Sequence, residues 1–255
     1  MKIGIVGLGV VGSAIKKGFE DLGHKVKVHD IKLKTNLVDV LDTKIVYLCL
    51  PTNPAEDGSC NIDVVGETVY ELSKLNYKGI IAIKSTIIPG TFKFLETLFD
   101  KERLCHVPEF LREKYAYEDF TKKHNVLIVG TNNKKCYEAV VKCHGKYPKE
   151  TLKLTPYEAE FVKYFSNVFK AVKITFANSF GKLCETHKVN YSKVLKAYEL
   201  EGIKETGYLN YFGSNGGFAG MCLPKDVLAL DKLATEHNIN LFSFILEENK
   251  KYLND

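Results

Sequence analysis

The stretch Lys2-Ile-Gly-Ile-Val-Gly7-Leu-Gly9-Val-Val-Gly12 decides how the first part of the chain folds. Residues 2–7 form a short β-branched run, and apolar positions at helical spacing follow from residue 15 to residue 22. The glycines between them allow a tight turn, a close approach of the backbone to a pyrophosphate and close packing of the helix. The stretch therefore predicts a strand, a turn and a helix whose amino end can bind a dinucleotide.

An acidic residue at the end of the next predicted strand supports this interpretation. Residues 25–29 lead into Asp30, whose carboxylate can accept hydrogen bonds from both ribose hydroxyls. Because that carboxylate would repel a 2′-phosphate, NAD is favoured over NADP, although Lys32 and Lys34 lie close by in the sequence. A strand, turn and helix without a cofactor is the alternative. The predicted cofactor contacts of this region are Gly7, Gly9, Val10, Val11, Gly12 and Asp30.

The same alternation continues along the chain. Residues 64–75 predict a helix, and four further runs predict strands: 44–50, 80–84, 103–107 and 125–129. Strands that alternate with helices indicate a parallel sheet with both faces covered. We therefore expect an α/β fold, a Rossmann-type doubly wound parallel sheet of about six strands over residues 1–150.

Three polar turns follow strands of this predicted sheet. They are Pro51-Thr52, Ser85-Thr86 and Pro108-Glu109. Because ligands of such sheets bind at the carboxyl ends of the strands, the three turns are expected to share one edge of the sheet. Each one, taken alone, could equally be a capping or turn sequence.

After residue 150 the pattern becomes helical. Thr155-Pro-Tyr-Glu158 is a capping box with proline at the first helical position, and the helix is expected to run to about residue 187. Its length predicts a spine helix between domains or across a dimer, within a helical domain of residues 151–255. Lys163 and Asn167, four residues apart, lie near one face together with Asn178, although a solvated polar stripe is the alternative.

The second glycine-containing stretch is Gly217-Phe-Ala-Gly-Met-Cys-Leu-Pro-Lys-Asp226. A cation near a thiol lowers the thiol pKa, so Cys222 beside Lys225 and Asp226 has the layout of a reactive cysteine. The alternative is a plain loop-to-helix junction, with Pro224 at the first helical position and an acidic residue in the first turn. Residues of this stretch alone do not decide between the two.

Composition narrows the classes of function. The chain has 255 residues, 45% of them hydrophobic and 26% charged, with no apolar run long enough to span a membrane and no signal-peptide layout at its start. We therefore expect a cytoplasmic protein without a membrane partner. The net charge of +5 comes from interleaved basic and acidic residues, which favours an anionic small molecule over nucleic acid. Seven scattered cysteines without Cys-x-x-Cys spacing predict no metal site.

Six motifs in order resemble the nucleotide-sugar 6-dehydrogenase family, to which UDP-glucose and GDP-mannose 6-dehydrogenases belong. The resemblance covers nearly the whole chain. The motifs are Gly-Leu-Gly-Val-Val-Gly (7–12), Cys-Leu-Pro-Thr (49–52), Lys-Ser-Thr (84–86), Pro-Glu-Phe-Leu-Arg-Glu (108–113), Glu-x-x-Lys-x-x-x-Asn (160–167) and the cysteine stretch (217–226).

The resemblance implies a four-electron oxidation of a sugar C6 alcohol to the carboxylate, with two NAD per turnover. Cys222 would form a thiohemiacetal and then a thioester, while Lys163 and Asn167 would stabilise charge on the C6 oxygen. Asp226 and Glu109, the latter with Thr86, would move protons and orient water. The resemblance also implies cofactor contacts from Pro51, Thr52, Ser85, Thr86, Glu113 and Lys225, and substrate contacts from Phe110, Leu111, Lys163, Asn167, Gly217 and Phe218.

The chain also departs from the family pattern. Only 33 residues follow Cys222, whereas family members continue for well over a hundred, in a second nucleotide-binding-type domain. The arginine of the family's Arg-Ile-Gly segment is replaced in Glu205-Thr206-Gly207, and Ala219 and Met221 stand where glycine and serine are usual. We therefore expect a short form, or a fragment of a longer enzyme.

Three functions remain open at this point. The first is a minimal dehydrogenase acting on a nucleotide sugar, with UDP-glucose as the expected substrate and a homodimer formed through the spine helix. The second is a two-electron hydroxyacid or sugar-acid dehydrogenase, since the short β-hydroxyacid dehydrogenases share the sheet, the spine helix and the Lys-x-x-x-Asn pair. The third is an NAD-binding interaction module without catalysis.

Overall fold

The computed structural model of this protein describes residues 1–202 and 205–253. Residues 203, 204, 254 and 255, which belong to the predicted second domain, lie outside the described part. The chain divides into two compact units: residues 1–52 with 61–163, and residues 53–60 with 164–255. The boundary between the units, after residue 163, falls inside the long helix that starts at residue 156. The predicted domain division after residue 150 stays a prediction.

The first unit is built on a seven-stranded sheet with the order β2-β1-β3-β4-β5-β6-β7. All neighbouring strands are parallel except β5 and β6, which meet in antiparallel orientation. The strands are β1 (Lys2–Val6), β2 (Lys25–His29), β3 (Ile45–Leu48), β4 (Ile80–Ile83), β5 (Leu104–His106), β6 (Val126–Gly130) and β7 (Glu150–Leu154).

Two features of the sheet differ from the sequence-based expectation. The chain between β5 and β6, residues 107–125, contains an α-helix of only six residues, and the two strands meet in antiparallel orientation instead of forming a further parallel pair. The strand β7 was not predicted, since residues near 151 were assigned to the start of the helical part. It is an edge strand with mostly exposed residues, so it lacks the buried apolar run that reveals the central strands.

Helices cover both faces of the sheet, as the alternating pattern predicted. On one face α1 (Val10–Asp21), α4 (Ala116–Thr121) and α5 (Lys134–His144) pack in a core around Phe19 and Phe120. On the other face α2 (Asp63–Lys74) and α3 (Thr91–Leu95) pack in a core around Val69 and Leu72. The doubly wound fold is therefore confirmed, and it places the loops that follow β1, β3, β4 and β5 at one edge.

The long helix α6 (Pro156–Thr186) begins and ends where the capping box and the apolar spacing predict. Thr155 N–H donates to Glu158 Oε2 at 2.8 Å, and Glu158 N–H donates to Thr155 Oγ1 at 3.2 Å, which completes the capping box. Apolar side chains recur at helical spacing along α6, and of these Val168 is buried whereas most others are exposed in this chain. The exposed ones, all more than a third accessible, are Phe161, Phe165, Phe176, Phe180 and Leu183, with Tyr157 and Phe169 beside them.

The described part of the second unit includes the rest of α6, three further α-helices and the segment 53–60. The helices are α7 (Tyr191–Leu200), α8 (Leu223–Thr235) and α9 (Leu241–Lys250). The segment 53–60 closes on itself through an antiparallel bridge between Pro54 and Cys60, and Gly58 lies against Leu228 of α8. Over the described ranges, no helix has both the length and the apolar character needed to cross a membrane.

Candidate functional site

The glycine turn after β1 has the geometry of a dinucleotide site. Gly7 has a φ of 90°, and a Cβ at Gly12 would lie 1.9 Å from the Gly7 carbonyl oxygen. Gly9 is the N-cap of α1, where no side chain caps the helix and the first turn holds no acidic residue. A Cβ at Gly9 would meet no protein atom within 4 Å. Space and free N–H groups are thus available to a phosphate at this helix end.

Asp30 follows β2 and faces this turn. Its two carboxylate oxygens accept the backbone N–H of Leu8 at 2.6 Å and of Lys32 at 2.8 Å. These two hydrogen bonds hold the pKa of Asp30 below its usual value, so the carboxylate is anionic and fixed in orientation. Each oxygen keeps a lone pair for a ribose hydroxyl. The turn and Asp30 together fit the predicted NAD, and the contacts of Gly7, Gly9, Val10, Val11 and Gly12 with it stay predictions.

The turns after β3 and β4 are joined by hydrogen bonds. Ser85 Oγ donates to Leu50 O at 2.8 Å and accepts Leu50 N–H at 2.8 Å, so this predicted cofactor contact serves the backbone of the neighbouring turn. Thr52 is buried and Pro51 is exposed. Thr86 directly follows Ser85 at the same edge. Their contacts with a cofactor stay predictions.

A buried ion pair joins the turn after β5 to α6. Lys163 Nζ lies 2.9 Å from Glu109 Oε1 and donates to the Glu109 carbonyl oxygen at 2.6 Å, while Leu111 N–H donates to Glu109 Oε2 at 2.6 Å. Burial, the largest single influence, raises the pKa of Glu109, but the Lys163 ammonium, the Leu111 N–H and Lys84 together outweigh it and hold the pKa of this carboxyl below its usual value. Phe110 lies beside them, with its ring centroid 5.7 Å from Lys163 Nζ. The pair provides a cation and a carboxylate base in one place.

Two buried groups next to this pair had no role in the sequence-based prediction. Lys84, at the end of β4, is buried, and this burial lowers its pKa, whereas the nearby Glu109 carboxylate raises it. His106, in β5, is fully buried, and burial lowers its pKa to about 3, so it is neutral. Lys84 appears in the Lys-Ser-Thr motif, but a lysine after a strand does not reveal whether it is buried.

Glu160 lies one helical turn before Lys163 and holds the loop after Thr86. Its carboxylate accepts Gly90 N–H at 2.8 Å and Phe92 N–H at 2.6 Å, at the amino end of α3. Burial raises the pKa of Glu160 to about 7, with a smaller contribution from Glu96, while the two N–H groups act in the opposite direction. The side chain thus connects α6 to the segment that carries Ser85 and Thr86.

A second group of predicted residues meets within the helical unit. Asn167 Nδ2 donates to Asp226 Oδ2 at 2.6 Å, and Lys225 Nζ lies 2.5 Å from Asp226 Oδ1. Asp226 is buried, whereas the lysine is partly exposed. Asn167 also accepts from Lys170 Nζ at 3.4 Å. The Asp226 carboxylate is therefore oriented by two donors, and one N–H of the Asn167 amide remains for another acceptor.

Cys222 is the N-cap of α8 and is exposed. A helix N-terminus favours an anion, which suits a thiolate at this position. Met221 is 75% exposed, whereas Phe218 is buried, with both its backbone N–H and its carbonyl bonded to Asn249. Phe218 thus packs within the unit, and its predicted substrate contact stays a prediction.

The remaining predicted residues lie apart from these groups. Glu113 is exposed at the start of a short helical turn, and Asn178 is buried and donates to Gly216 O at 2.7 Å instead of facing solvent. Residues 1–202 and 205–253 contain no group of three or more His, Cys, Asp or Glu side chains that could hold a metal ion. The structure thus brings Glu109 to Lys163, and Asn167 to Asp226 and Lys225.

Two domains of a known protein family match this chain. Residues 32–147 match the NAD-binding domain of the UDP-glucose/GDP-mannose dehydrogenase family, and residues 157–251 match its central domain. The chain belongs to this family. The glycine turn lies before the matched part of the NAD-binding domain, and the geometry of the turn agrees with an NAD-binding function. The predicted family and NAD-binding domain are confirmed.

Known members of the UDP-glucose/GDP-mannose dehydrogenase family are similar over most of this chain. The UDP-glucose 6-dehydrogenase of Rickettsia felis is 29% identical over 223 residues, which cover 84% of this chain and 49% of that protein. The UDP-glucose 6-dehydrogenase TuaD of Bacillus subtilis is 26% identical, with 98% of this chain and 63% of that protein covered. The solved UDP-glucose dehydrogenase of Pyrobaculum islandicum superimposes with a TM-score of 0.88 at 26% identity, covering 98% of this chain and 68% of that one.

The match in length is partial. The chain spans about half the length of the Rickettsia protein. The shared part comprises the NAD-binding and central domains, which contain the predicted catalytic residues. Similarity therefore shows the family, the fold and the NAD-binding domain, and leaves the substrate to be inferred from the site.

Proposed function

We propose that this chain carries the catalytic part of an NAD-dependent dehydrogenase that oxidises the C6 alcohol of a nucleotide sugar to the carboxylate, with UDP-glucose as the expected substrate. The observation that carries the proposal is the arrangement at the amino end of α8. There an exposed Cys222 precedes by one turn a buried Asp226, whose carboxylate is oriented by Asn167 and Lys225. A simple alcohol oxidation requires no exposed thiol at such a position.

In the proposed reaction, Lys163 and Asn167 hold the C6 oxygen. The ammonium and the amide stabilise the negative charge that develops there as the alcohol loses its proton to a carboxylate base. Glu109 suits that role because the neighbouring Lys163 keeps its pKa low and its carboxylate ionised. Bound NAD supplies the hydride acceptor in both oxidation steps.

The thiol then makes the second oxidation possible. Cys222 Sγ adds to the C6 aldehyde to form a thiohemiacetal, whose oxidation gives a thioester; water cleaves the C6–S bond and restores the thiol. The sum is one alcohol, two NAD⁺ and one water converted to one carboxylate, two NADH and three protons. Asp226 and Glu109 are the carboxylates proposed to orient this water, and Thr86 is proposed to assist Glu109.

The test is NADH release from a panel of UDP-, GDP- and free sugars at saturating NAD. We expect release with at least one nucleotide sugar, and loss of more than about a thousandfold in kcat for Cys222→Ser and Lys163→Met. Matched controls are Cys60→Ser and Lys182→Met, the latter on the same helix with its side chain exposed. Absence of turnover with every sugar would contradict the proposal, and an active Cys222→Ala variant would favour the two-electron hydroxyacid reaction.

We also propose that a second copy of the chain covers the exposed aromatic face of α6, as a homodimer. Phe161, Phe165 and Phe169 recur at one-turn intervals on this helix, and Phe165 is 74% exposed. Such an apolar face is costly to leave in water and is typical of an oligomer interface. Light scattering should give twice the chain mass, and Phe165→Glu should give the monomer; a monomeric wild-type protein would contradict this.

A cytoplasmic location is proposed on the state of the cysteines. Cys105, Cys136 and Cys143 are buried thiols, which a reducing compartment preserves. Recovery of the protein in an oxidising compartment would contradict it.

A further inference from the structure

The cysteine loop, residues 217–222, is held by residues that the proposed reaction does not use. Just before it, Asn178 Nδ2 donates to Gly216 O at 2.7 Å. Gly217 N–H then donates to Tyr252 O at 2.8 Å, beyond the end of α9. A Cβ at Gly217 would lie 2.7 Å from the same oxygen, so only glycine allows this approach. The chain entering the loop is thus fixed against α6 and against the end of α9.

The next residue is bonded twice to a single side chain. Phe218 N–H donates to Asn249 Oδ1 at 2.8 Å, and Asn249 Nδ2 donates to Phe218 O at 2.9 Å. The primary amide therefore pairs with the backbone as a neighbouring strand would, using one donor and one acceptor. Asn249 is 4% exposed and Phe218 is 2% exposed. Without this side chain, two buried backbone groups would lose their partners.

The two hydrogen bonds between Asn249 and Phe218, called the clamp from here on, lie close in sequence to Cys222. Three residues, 219–221, separate Phe218 from Cys222, and residues 219–222 are all exposed. The other end of this segment is fixed by α8, whose N-cap is Cys222 itself. Fixing both ends reduces the number of conformations that this exposed segment can adopt.

We propose that Asn249 is a positioning residue for Cys222: its amide fixes the backbone of Phe218, and the last helix of the chain thereby sets the place of the thiol. The inference rests on the proposed function, because it assigns the clamp to the nucleophile. It assigns no contact with substrate or cofactor to Asn249.

The decisive variant is Asn249→Asp, which keeps the size of the side chain. At neutral pH the introduced carboxylate still accepts from Phe218 N–H, but it has no proton to donate to Phe218 O and repels it. At low pH the protonated carboxyl again offers one donor and one acceptor, as the amide does. Asn249→Leu removes both bonds at similar volume and offers no such recovery. The control is Asn240→Asp, at an exposed N-cap without a side-chain cap bond.

Two measurements separate the inference from the proposed function. The first is hydrogen exchange of the Phe218 amide, which needs no substrate. Relative to the control, Asn249→Asp should lose about tenfold or more of the protection factor near pH 8 and recover most of it near pH 5.5. The second is kcat with the active sugar, which should fall about tenfold or more near pH 8 with an unchanged KM for NAD, and recover in the same pH range.

Each outcome decides one claim. Unchanged exchange in both Asn249 variants would overturn the clamp. Lost protection with wild-type kcat at every pH would overturn the positioning role and leave the proposed function standing. A wild-type protein without sugar-dependent NADH release would contradict the proposed function, while the exchange measurement would still confirm or refute the clamp.

Discussion

The cofactor turn, residues 7–12, and the cysteine loop are both short glycine-containing segments at the start of a helix, yet they are fixed in different ways. In the cofactor turn the tightest contact is between neighbours, since Gly12 lies against the Gly7 carbonyl, while Asp30 and Cys49 approach the turn from the following strands. In the cysteine loop the contacts come from far along the chain, since Asn249 bonds to Phe218, 31 residues away. The glycine spacing of the binding turn is thus specified locally, whereas the reactive segment is held mainly by distant residues.

The other candidate catalytic contacts follow the second pattern. Glu109 and Lys163 are 54 residues apart, Asn167 and Asp226 are 59 residues apart, and Glu160 reaches Gly90 across 70 residues. Loss of one partner in such a pair leaves a buried polar group without compensation. The predictions below therefore change either a local contact or one member of a distant pair.

The largest effect is expected from Gly12→Ala in the cofactor turn. The added Cβ would lie 1.9 Å from the Gly7 carbonyl oxygen, and backbone on both sides would have to move. We expect the free energy of unfolding to fall by about 3 kcal/mol or more, as measured by urea denaturation. The control is Gly9→Ala, whose Cβ meets no protein atom; its stability should stay within about 0.5 kcal/mol of wild type while NAD affinity falls. Equal destabilisation by both changes would contradict the local account.

The next effect is expected from Lys163→Met, which removes one member of a distant pair. Glu109 has a lowered folded pKa, so its contribution to stability is present above its unfolded pKa and is lost as pH falls through the folded value. Without the ammonium, burial dominates and the pKa of Glu109 rises. The pH dependence of stability that Glu109 contributes therefore changes sign. We expect a loss of about 3 kcal/mol near pH 8 and a smaller loss near pH 5, measured by denaturation at each pH. A loss independent of pH would show that the ion pair is not the cause.

Glu160 should make the free energy of unfolding depend on pH with the opposite sign to the contribution of Glu109 in the wild-type protein. Its folded pKa is raised to about 7, so the folded state holds an extra proton between the usual glutamate pKa and about 7. The stability that this group contributes is present below that window and is lost as pH rises through it, by about 3 kcal/mol in total. Glu160→Gln should remove this slope, while the exposed Glu138→Gln should not. An unchanged slope in Glu160→Gln would exclude this carboxyl as its origin.

The smallest effect is expected from Gly220→Ala in the cysteine loop. Gly220 has a φ of 81° and open space around its Cβ position, so only the backbone conformation opposes the change. We expect a loss of about 1 kcal/mol in the free energy of unfolding, well below that of Gly12→Ala. A loss as large as that at Gly12 would contradict the difference between the two segments.

Sequence reasoning succeeded where the determinants are local. The cofactor turn, Asp30, the capping box of α6 and the bounds of that helix all follow from spacing over a few residues. It missed β7, because an exposed edge strand has no buried face to reveal it. It also gave no role to Glu160 or Asn249, because a buried carboxylate or amide is recognised only by the backbone groups that it meets after folding.

The most direct test of the account is the ratio of NADH formed to sugar carboxylate formed with the active nucleotide sugar. The account predicts two NADH per carboxylate for the wild-type protein, and no carboxylate from Cys222→Ala, because the second oxidation passes through a thioester at that residue. A ratio of one, retained in Cys222→Ala, would contradict the central claim that the cysteine loop carries covalent chemistry.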